Sequence, residues 1–282
     1  MSKVVPLFKT PNPTRVIVIE GVDGVGKATQ TALLCKALED KGFSVADFSF
    51  PMYDMPWGKV IKKMLSNEPC VTPHGTYLHP DYFNSNPYIK SMLYLNNFME
   101  AYHIPSGISS VISGTYKKDF VVFDRYVPSM IAFAYAGCVL QNKDSTYNRV
   151  DWKKVMEFIN FNFLGVKIDL QINLIADLFA TKKNLETRYE GKTVVDVHEQ
   201  NEELMHIVGE LYRLNYNFAF ETPSPVPIVK EKPEPKPFFS AIYNKDSFIE
   251  VINCINHKGS LGSKEEIALA VKDSVFNYFQ IK

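Results

Sequence analysis

The run Gly21-Val22-Asp23-Gly24-Val25-Gly26-Lys27 has the spacing of a loop that wraps phosphate. Backbone N–H groups can converge on phosphate oxygens only where no Cβ intrudes, and a helix starting just after the loop adds its positive N-terminal end. Lys27 supplies a mobile point charge. At the next position, where a Ser or Thr hydroxyl normally reaches Mg²⁺, stands Ala28, followed by Thr29. The nucleotide-binding candidates are therefore Gly21, Gly24, Gly26, Lys27, Ala28 and Thr29. The bare pattern should arise by chance in roughly one chain in ten of this length, so its surroundings decide its meaning. Val16 to Ile19 precede it as a buried-strand run, and Ala32, Leu33, Ala37 and Leu38 follow at helical spacing.

A second pair, Asp124-Arg125, closes the apolar run Phe120 to Phe123. An acid emerging from a buried strand beside phosphates would be repelled unless it served a cation, which makes Asp124 the Mg²⁺ candidate. The planar fork of Arg125 suits a second phosphate. A structural Asp-Arg pair capping a strand end is the plainer alternative. Asp23 sits inside the loop, where a turn-forming role is also open. Lys182, Lys183, Arg188 and Lys192 form a basic segment that suits a mobile cover or a solvated helix end. Together these parts suit phosphoryl transfer from a bound nucleotide to a second phosphate group. Its acceptor oxygen is already anionic near neutral pH, so position and positive charge do the work and no general base is essential.

Five strand-like runs position these groups: Arg15 to Glu20, Phe43 to Phe50, Asp119 to Asp124, Lys167 to Leu174 and Phe238 to Tyr243. Helix-length segments separate them, the alternation of an α/β fold with a five-stranded parallel sheet flanked by helices. Such sheets bind ligands beyond the carboxyl ends of their strands, where the motifs lie. Asn67 to Asn86, with three prolines, is a long connection that suggests an excursion over the substrate. Residues 222–237 hold six prolines and suit an extended insertion before the last strand; a linker is the alternative, but the 45 residues beyond are few for an independent core. One domain over 1–282 is expected.

The 282 residues carry 31 basic and 31 acidic side chains, so no global field favours nucleic acid or an anionic membrane, and small-molecule partners are expected. Hydrophobic content of 46% suffices for a core. Cys35, Cys70, Cys138 and Cys254 lie far apart, without metal-site or disulfide spacing. No run approaches the ~20 apolar residues of a membrane span, and Met1 to Pro13 lacks a signal-peptide core. A reducing, cytoplasmic setting is expected.

Four motifs in order resemble thymidylate kinases: the loop, Phe50-Pro51-Met52-Tyr53, Asp124-Arg125-Tyr126 with Val127-Pro128-Ser129, and Arg188-Tyr189-Glu190. The resemblance covers about Arg15 to Phe220 and implies a three-layer P-loop NTPase fold with a lid near 180–195, ATP and Mg²⁺ as cofactors, and a homodimer packed through helices. It implies that Asp23 holds the acceptor sugar's 3′-hydroxyl, that Tyr94 stacks on the base, and that Tyr189 contacts substrate. Gly24 stands where some members carry a catalytic arginine; members with Gly there resemble this chain in using the lid, which makes Arg188 the charge for the transferring group. Ser129 and Asn97 are candidates to read the base edge.

The chain departs from that pattern at three positions. Tyr53 and Phe98 stand where the family carries arginines, removing two charge-assisted contacts worth about 1.5–3 kcal/mol each where solvent is excluded. Tyr94, Asn97 and Phe98 would share one helix face. Ala28 removes one Mg²⁺ ligand, but water can replace it, and a bacterial branch of the family is similar in carrying Gly-Lys-Ala-Thr-Gln. The expected acceptor is a deoxypyrimidine monophosphate, dTMP or dUMP first, or a base-modified analogue. The alternatives are a deoxynucleoside kinase, for which Ser49 to Tyr53 offers no carboxylate base, and a non-catalytic nucleotide-binding protein.

Overall fold

The computed structural model describes residues 14–144, 150–163, 165–190, 198, 201–213 and 242–282. The central strand β1 (Arg15–Gly21) carries the loop at its carboxyl end and is followed by α1 (Lys27–Asp40). Then come β2 (Val45–Ser49), α2 (Pro56–Leu65), the short β3 (Cys70–Val71) and β4 (Tyr77–Leu78), α3 (Pro80–Ser85), α4 (Pro87–His103) and α5 (Ile108–Ser113). The second half holds β5 (Phe120–Asp124), α6 (Val127–Asp144), α7 (Trp152–Asn162), β6 (Ile168–Ile175), α8 (Leu178–Tyr189), α9 (Glu202–Arg213), β7 (Tyr243–Asn253) and α10 (Lys264–Phe279).

Five strands form one sheet in the order β2-β5-β1-β6-β7, with every neighbouring pair parallel. Val16 to Ile19 and Phe120 to Phe123 are fully buried, as strands covered on both faces must be. Helices α1 and α10 pack together as one set, while α4, α6 and α9 form another against β1 and β6. The sheet between them makes three layers.

Register brings the site together. Asp124 pairs with Ile19 on one side and with Ser49 on the other. Phe50 N–H then donates to Asp124 O (2.9 Å) and Arg125 N–H to Ile19 O (3.0 Å), so the chain leaves β1, β2 and β5 at one level. That level is the floor of the site.

Two expectations are corrected here. The last strand is Tyr243–Asn253, not Phe238 to Tyr243; residues 238–241 lie outside the described residues, as does the proline-rich 222–237. β7 opens with polar residues, and its register against β6 shifts between Ile168, opposite Tyr243, and Leu170, opposite Phe248. Such an edge strand shows neither strict alternation nor a continuous apolar run. The connection 67–86 is also no excursion over the substrate. Its hairpin and α3 cover a second apolar cluster in which Phe83 joins Trp57, Val60, Ile61 and Met64 of α2 and Leu93 of α4.

Candidate functional site

Gly21, Gly24 and Gly26 have φ of 147°, 79° and 95°, a region that other residues enter only with strain. Gly21 also has no room for a side chain, because a Cβ would lie 2.2 Å from Leu174 O. Gly26 hands the chain into α1, with Gln30 N–H bonding back to its carbonyl (3.0 Å). The first-turn amides of Lys27, Ala28 and Thr29 thus face out of the helix end, and no acidic residue stands in that turn to compete for them. Lys27 is 7% exposed; its Nζ donates to Val22 O (2.8 Å) and lies 3.5 Å from Asp23 Oδ1. Burial, and after it the neighbouring Arg125, pull its pKa down to about 8.

Arg125 is one of three non-glycine residues with positive φ among those described (63°). Its guanidinium pairs with Asp23 and donates to Ser129 Oγ (3.0 Å). Burial opposes its charge, but Asp23 above all holds the group protonated. Beneath it lies Glu20, a fully buried carboxylate in β1. Its Oε1 accepts from the N–H groups of Tyr126 (2.9 Å) and Ser129 (3.1 Å), at the start of α6. Its Oε2 accepts from Ser129 Oγ and from Tyr212 Oη (3.1 Å). Burial raises the Glu20 pKa, although Arg125 and these donors work against the rise. Glu20 therefore fixes the helix end that carries Arg125. The sequence held one signal of it: a carboxylate within a run that must be buried.

A cavity of about 330 Å³ runs over this floor. At one end it is lined by Asp23, Gly24 and the segment Gly26 to Thr29. Asp124, Arg125 and Ser129 border its middle, and Tyr53, Tyr94, Phe98, Met130, Phe133 and His198 its aromatic end. Phe98 is buried and meets Phe50 edge to face (4.7 Å between centroids), so it is wall as much as contact surface. Tyr94 is partly exposed to the cavity, with Phe83 behind it (6.5 Å).

Two base-edge candidates are engaged elsewhere. Asn97 is fully buried and does not border the cavity; its amide accepts from Met52 N–H (2.9 Å) and donates to Met52 O (3.4 Å), clamping the turn after β2. Ser129 borders the cavity, but its hydroxyl serves Glu20 and Arg125. Arg188 and Tyr189 fall in α8, but their side chains lie outside the described residues. The sequence reading missed Phe133, His198 and Lys90. Lys90 stands four residues before Tyr94 on α4, a spacing that could have revealed it; His198 carried no signal.

For a cation, the donor set is sparse. No group of three or more His, Cys, Asp or Glu side chains capable of holding a metal exists among the described residues. Asp124 accepts one side-chain hydrogen bond there, a long one from Ser49 Oγ (3.3 Å), while Asp23 is occupied by Arg125 and Lys27. One carboxylate beside a phosphate cradle fits Mg²⁺, which takes one or two protein carboxylates and completes its shell with phosphate oxygen and water. All four cysteines are unbridged, and burial pushes the thiols of Cys35, Cys138 and Cys254 up to about 12. No described helix is long and apolar enough to cross a membrane.

Comparison with known proteins agrees with this arrangement. Residues 19–149 match the thymidylate kinase family model. The chain is 25% identical over 197 residues to a thymidylate kinase of Mycobacterium tuberculosis, covering 70% of this chain and 83% of that one. It is 30% identical over 120 residues to a probable thymidylate kinase of Pyrococcus horikoshii, covering 43% and 51%. In fold it is similar to a solved thymidylate kinase structure from Candida albicans, with a TM-score of 0.56, 18% identity and 96% and 94% of the two chains covered. The phosphate loop from Gly21 to Lys27 and the Asp124-Arg125 pair both lie within residues 19–149, and the chain is similar, at a divergent level, to the thymidylate kinases, a family of nucleoside monophosphate kinases.

Proposed function

We propose that the chain transfers the γ-phosphoryl group of ATP to a deoxypyrimidine nucleoside monophosphate, dTMP or dUMP before other bases, and that it works as a homodimer. One observation carries this reading: a single cavity joins the phosphate loop to Arg125 and continues to an aromatic end. The loop amides and Lys27 hold the donor phosphates. Arg125, with Asp23 and Ser129 fixing its fork, clamps the acceptor phosphate, and Tyr94 offers a face to the base. Asp124 would hold Mg²⁺, which when bound neutralises charge on the donor phosphates.

The acceptor phosphate oxygen attacks the γ-phosphorus. The bond from phosphorus to the β,γ-bridging oxygen breaks, and the leaving diphosphate keeps that electron pair. Lys27 and the loop amides meet the charge that develops on it. The acceptor phosphate needs no base: of the two cavity carboxylates, Asp23 is bound to Arg125 and Lys27, and Asp124 would hold the metal.

The test is a coupled ADP-release assay across deoxy- and ribonucleoside monophosphates and thymidine, with Lys27→Ala as blank. Turnover should be highest on dTMP or dUMP. Turnover on purine nucleotides alone, preference for thymidine over dTMP, or ATP binding without transfer to any monophosphate would each overturn the proposal.

A further inference from the structure

Behind the aromatic end of the cavity lies a buried polar pair that the reaction above does not use. His198 and Lys90 are 7% and 4% exposed, and Lys90 Nζ is 3.1 Å from His198 Nε2. The imidazole is sandwiched between two phenyl rings: Phe133 at 5.1 Å and 16°, and Phe83 at 6.0 Å and 15°. Lys90 Nζ itself lies 5.0 Å from the Phe83 centroid. The plane of the imidazole is thereby set by stacking, and its protonation by Lys90. An ammonium can only donate, so Nε2 accepts and the ring proton sits on Nδ1. Burial, reinforced by Lys90 and Arg125, holds His198 neutral despite the opposing pull of Asp23.

Resting on the proposed function, we infer that His198 determines the base specificity of the acceptor site, and that Lys90 is its positioning residue. The wall that the neutral His198 forms, with the Lys90 charge behind it, donates through its ring N–H. Such a wall favours the 4-oxo edge of thymine or uracil and opposes the 4-amino edge of cytosine, whose own N–H groups would face a donor. Among the other side chains at that end, Phe98, Met130 and Phe133 are apolar, the Asn97 amide is taken by Met52 and the Ser129 hydroxyl by Glu20 and Arg125, while Tyr53 and Tyr94 carry the remaining hydroxyls. The contact comes from α4, one turn ahead of Tyr94, and from a residue beyond α8.

The experiment measures kcat/KM of the full chain for dTMP and dCMP, and for a pyrimidine deoxynucleoside monophosphate lacking the 4-oxygen, in the unsubstituted protein and in His198→Gln and Lys90→Met. A buried polar contact of this kind discriminates by about tenfold or more. The unsubstituted protein should lose at least that much on the analogue without the 4-oxygen. His198→Gln, whose amide can turn its carbonyl to an amino group, should lower the dTMP/dCMP ratio about tenfold. Lys90→Met should lower the same ratio with a larger effect on KM than on kcat, a pattern that loss of fold does not produce. An unmoved ratio in a folded His198→Gln, or no loss on the analogue, overturns the inference while leaving the kinase reading intact. Absence of turnover on every pyrimidine monophosphate instead overturns that reading and this inference with it. Should Lys90→Met fail to fold, His198→Gln and the analogue still decide.

Discussion

Lys27 is held in a compromise between burial and charge. Desolvation and Arg125 push it toward neutrality, while Asp23, Asp124 and Glu20 push back, and the balance leaves its pKa at about 8 against an ordinary 10.5. Unfolding restores the ordinary value. Between those two values the unfolded chain binds more protons than the folded one, so this residue makes stability rise with pH across that window and contributes a constant penalty below it. Donor phosphates beside Nζ would favour the charged form and return the pKa upward. Nucleotide binding at pH 8 should therefore take up about half a proton at this site, and close to none at pH 6.5. Calorimetric titration of the chain with ATP, in buffers of different ionisation enthalpy, reads that uptake directly. A binding enthalpy at pH 8 with no dependence on the buffer would show that Lys27 is already charged, and Lys27→Met should abolish the dependence.

Among the elements, α8 touches the loop from outside. Asn184 Nδ2 donates to Gly24 O (2.8 Å), and a Cβ on Gly24 would lie 2.9 Å from Thr181 O and 3.1 Å from Leu185 Cγ. The absence of a side chain at Gly24 thus lets a helix dock on the phosphate loop, besides giving the backbone its turn. Gly24→Ala should part the two and strain a φ of 79°, at a cost of about 1–3 kcal/mol in stability and a several-fold rise in the KM for ATP. Thermal melting and steady-state kinetics report the two effects. A variant with unchanged KM would mean that the docking of α8 does not matter to nucleotide binding. Legibility in the sequence follows the same physics. β1 and β5 could be read because both their faces are buried and their residues are uniformly apolar, and the loop because its glycines answer a local backbone demand. Asn97 could not be placed, since its share of the helix face with Tyr94 says nothing about the turn at Met52 that takes its amide. His198 escaped because only the tertiary fold carries it to Lys90 and Phe133.

At the scale of the whole molecule, the question is whether the C-terminal segment belongs to the same folding unit as the loop. β7 pairs along β6, and α10 inserts Ile267, Val271 and Val275 into the core beside α1. Polar ties run across the same seam: Gln30 Nε2 donates to Lys264 O (3.1 Å), and Tyr278 Oη to Asp169 O (3.0 Å). At the far edge Phe279 meets Phe120 edge to face (5.3 Å), and the guanidinium of Arg15 lies 5.5 Å from the Phe279 centroid. Exposing three buried aliphatic side chains at about 1.5–3 kcal/mol each removes a quantity comparable to the ~5–15 kcal/mol by which domains are stable, and β6 is left as a bare edge besides. A chain ending at Arg213 should therefore lose its cooperative melt and aggregate. Because no described contact across the seam is covalent, supplying residues 242–282 as a separate peptide during refolding should restore part of the ATP binding. A soluble 1–213 fragment with its own sharp transition would instead make the C-terminal segment an appendage, and the single-domain organisation expected from the sequence would fall with it.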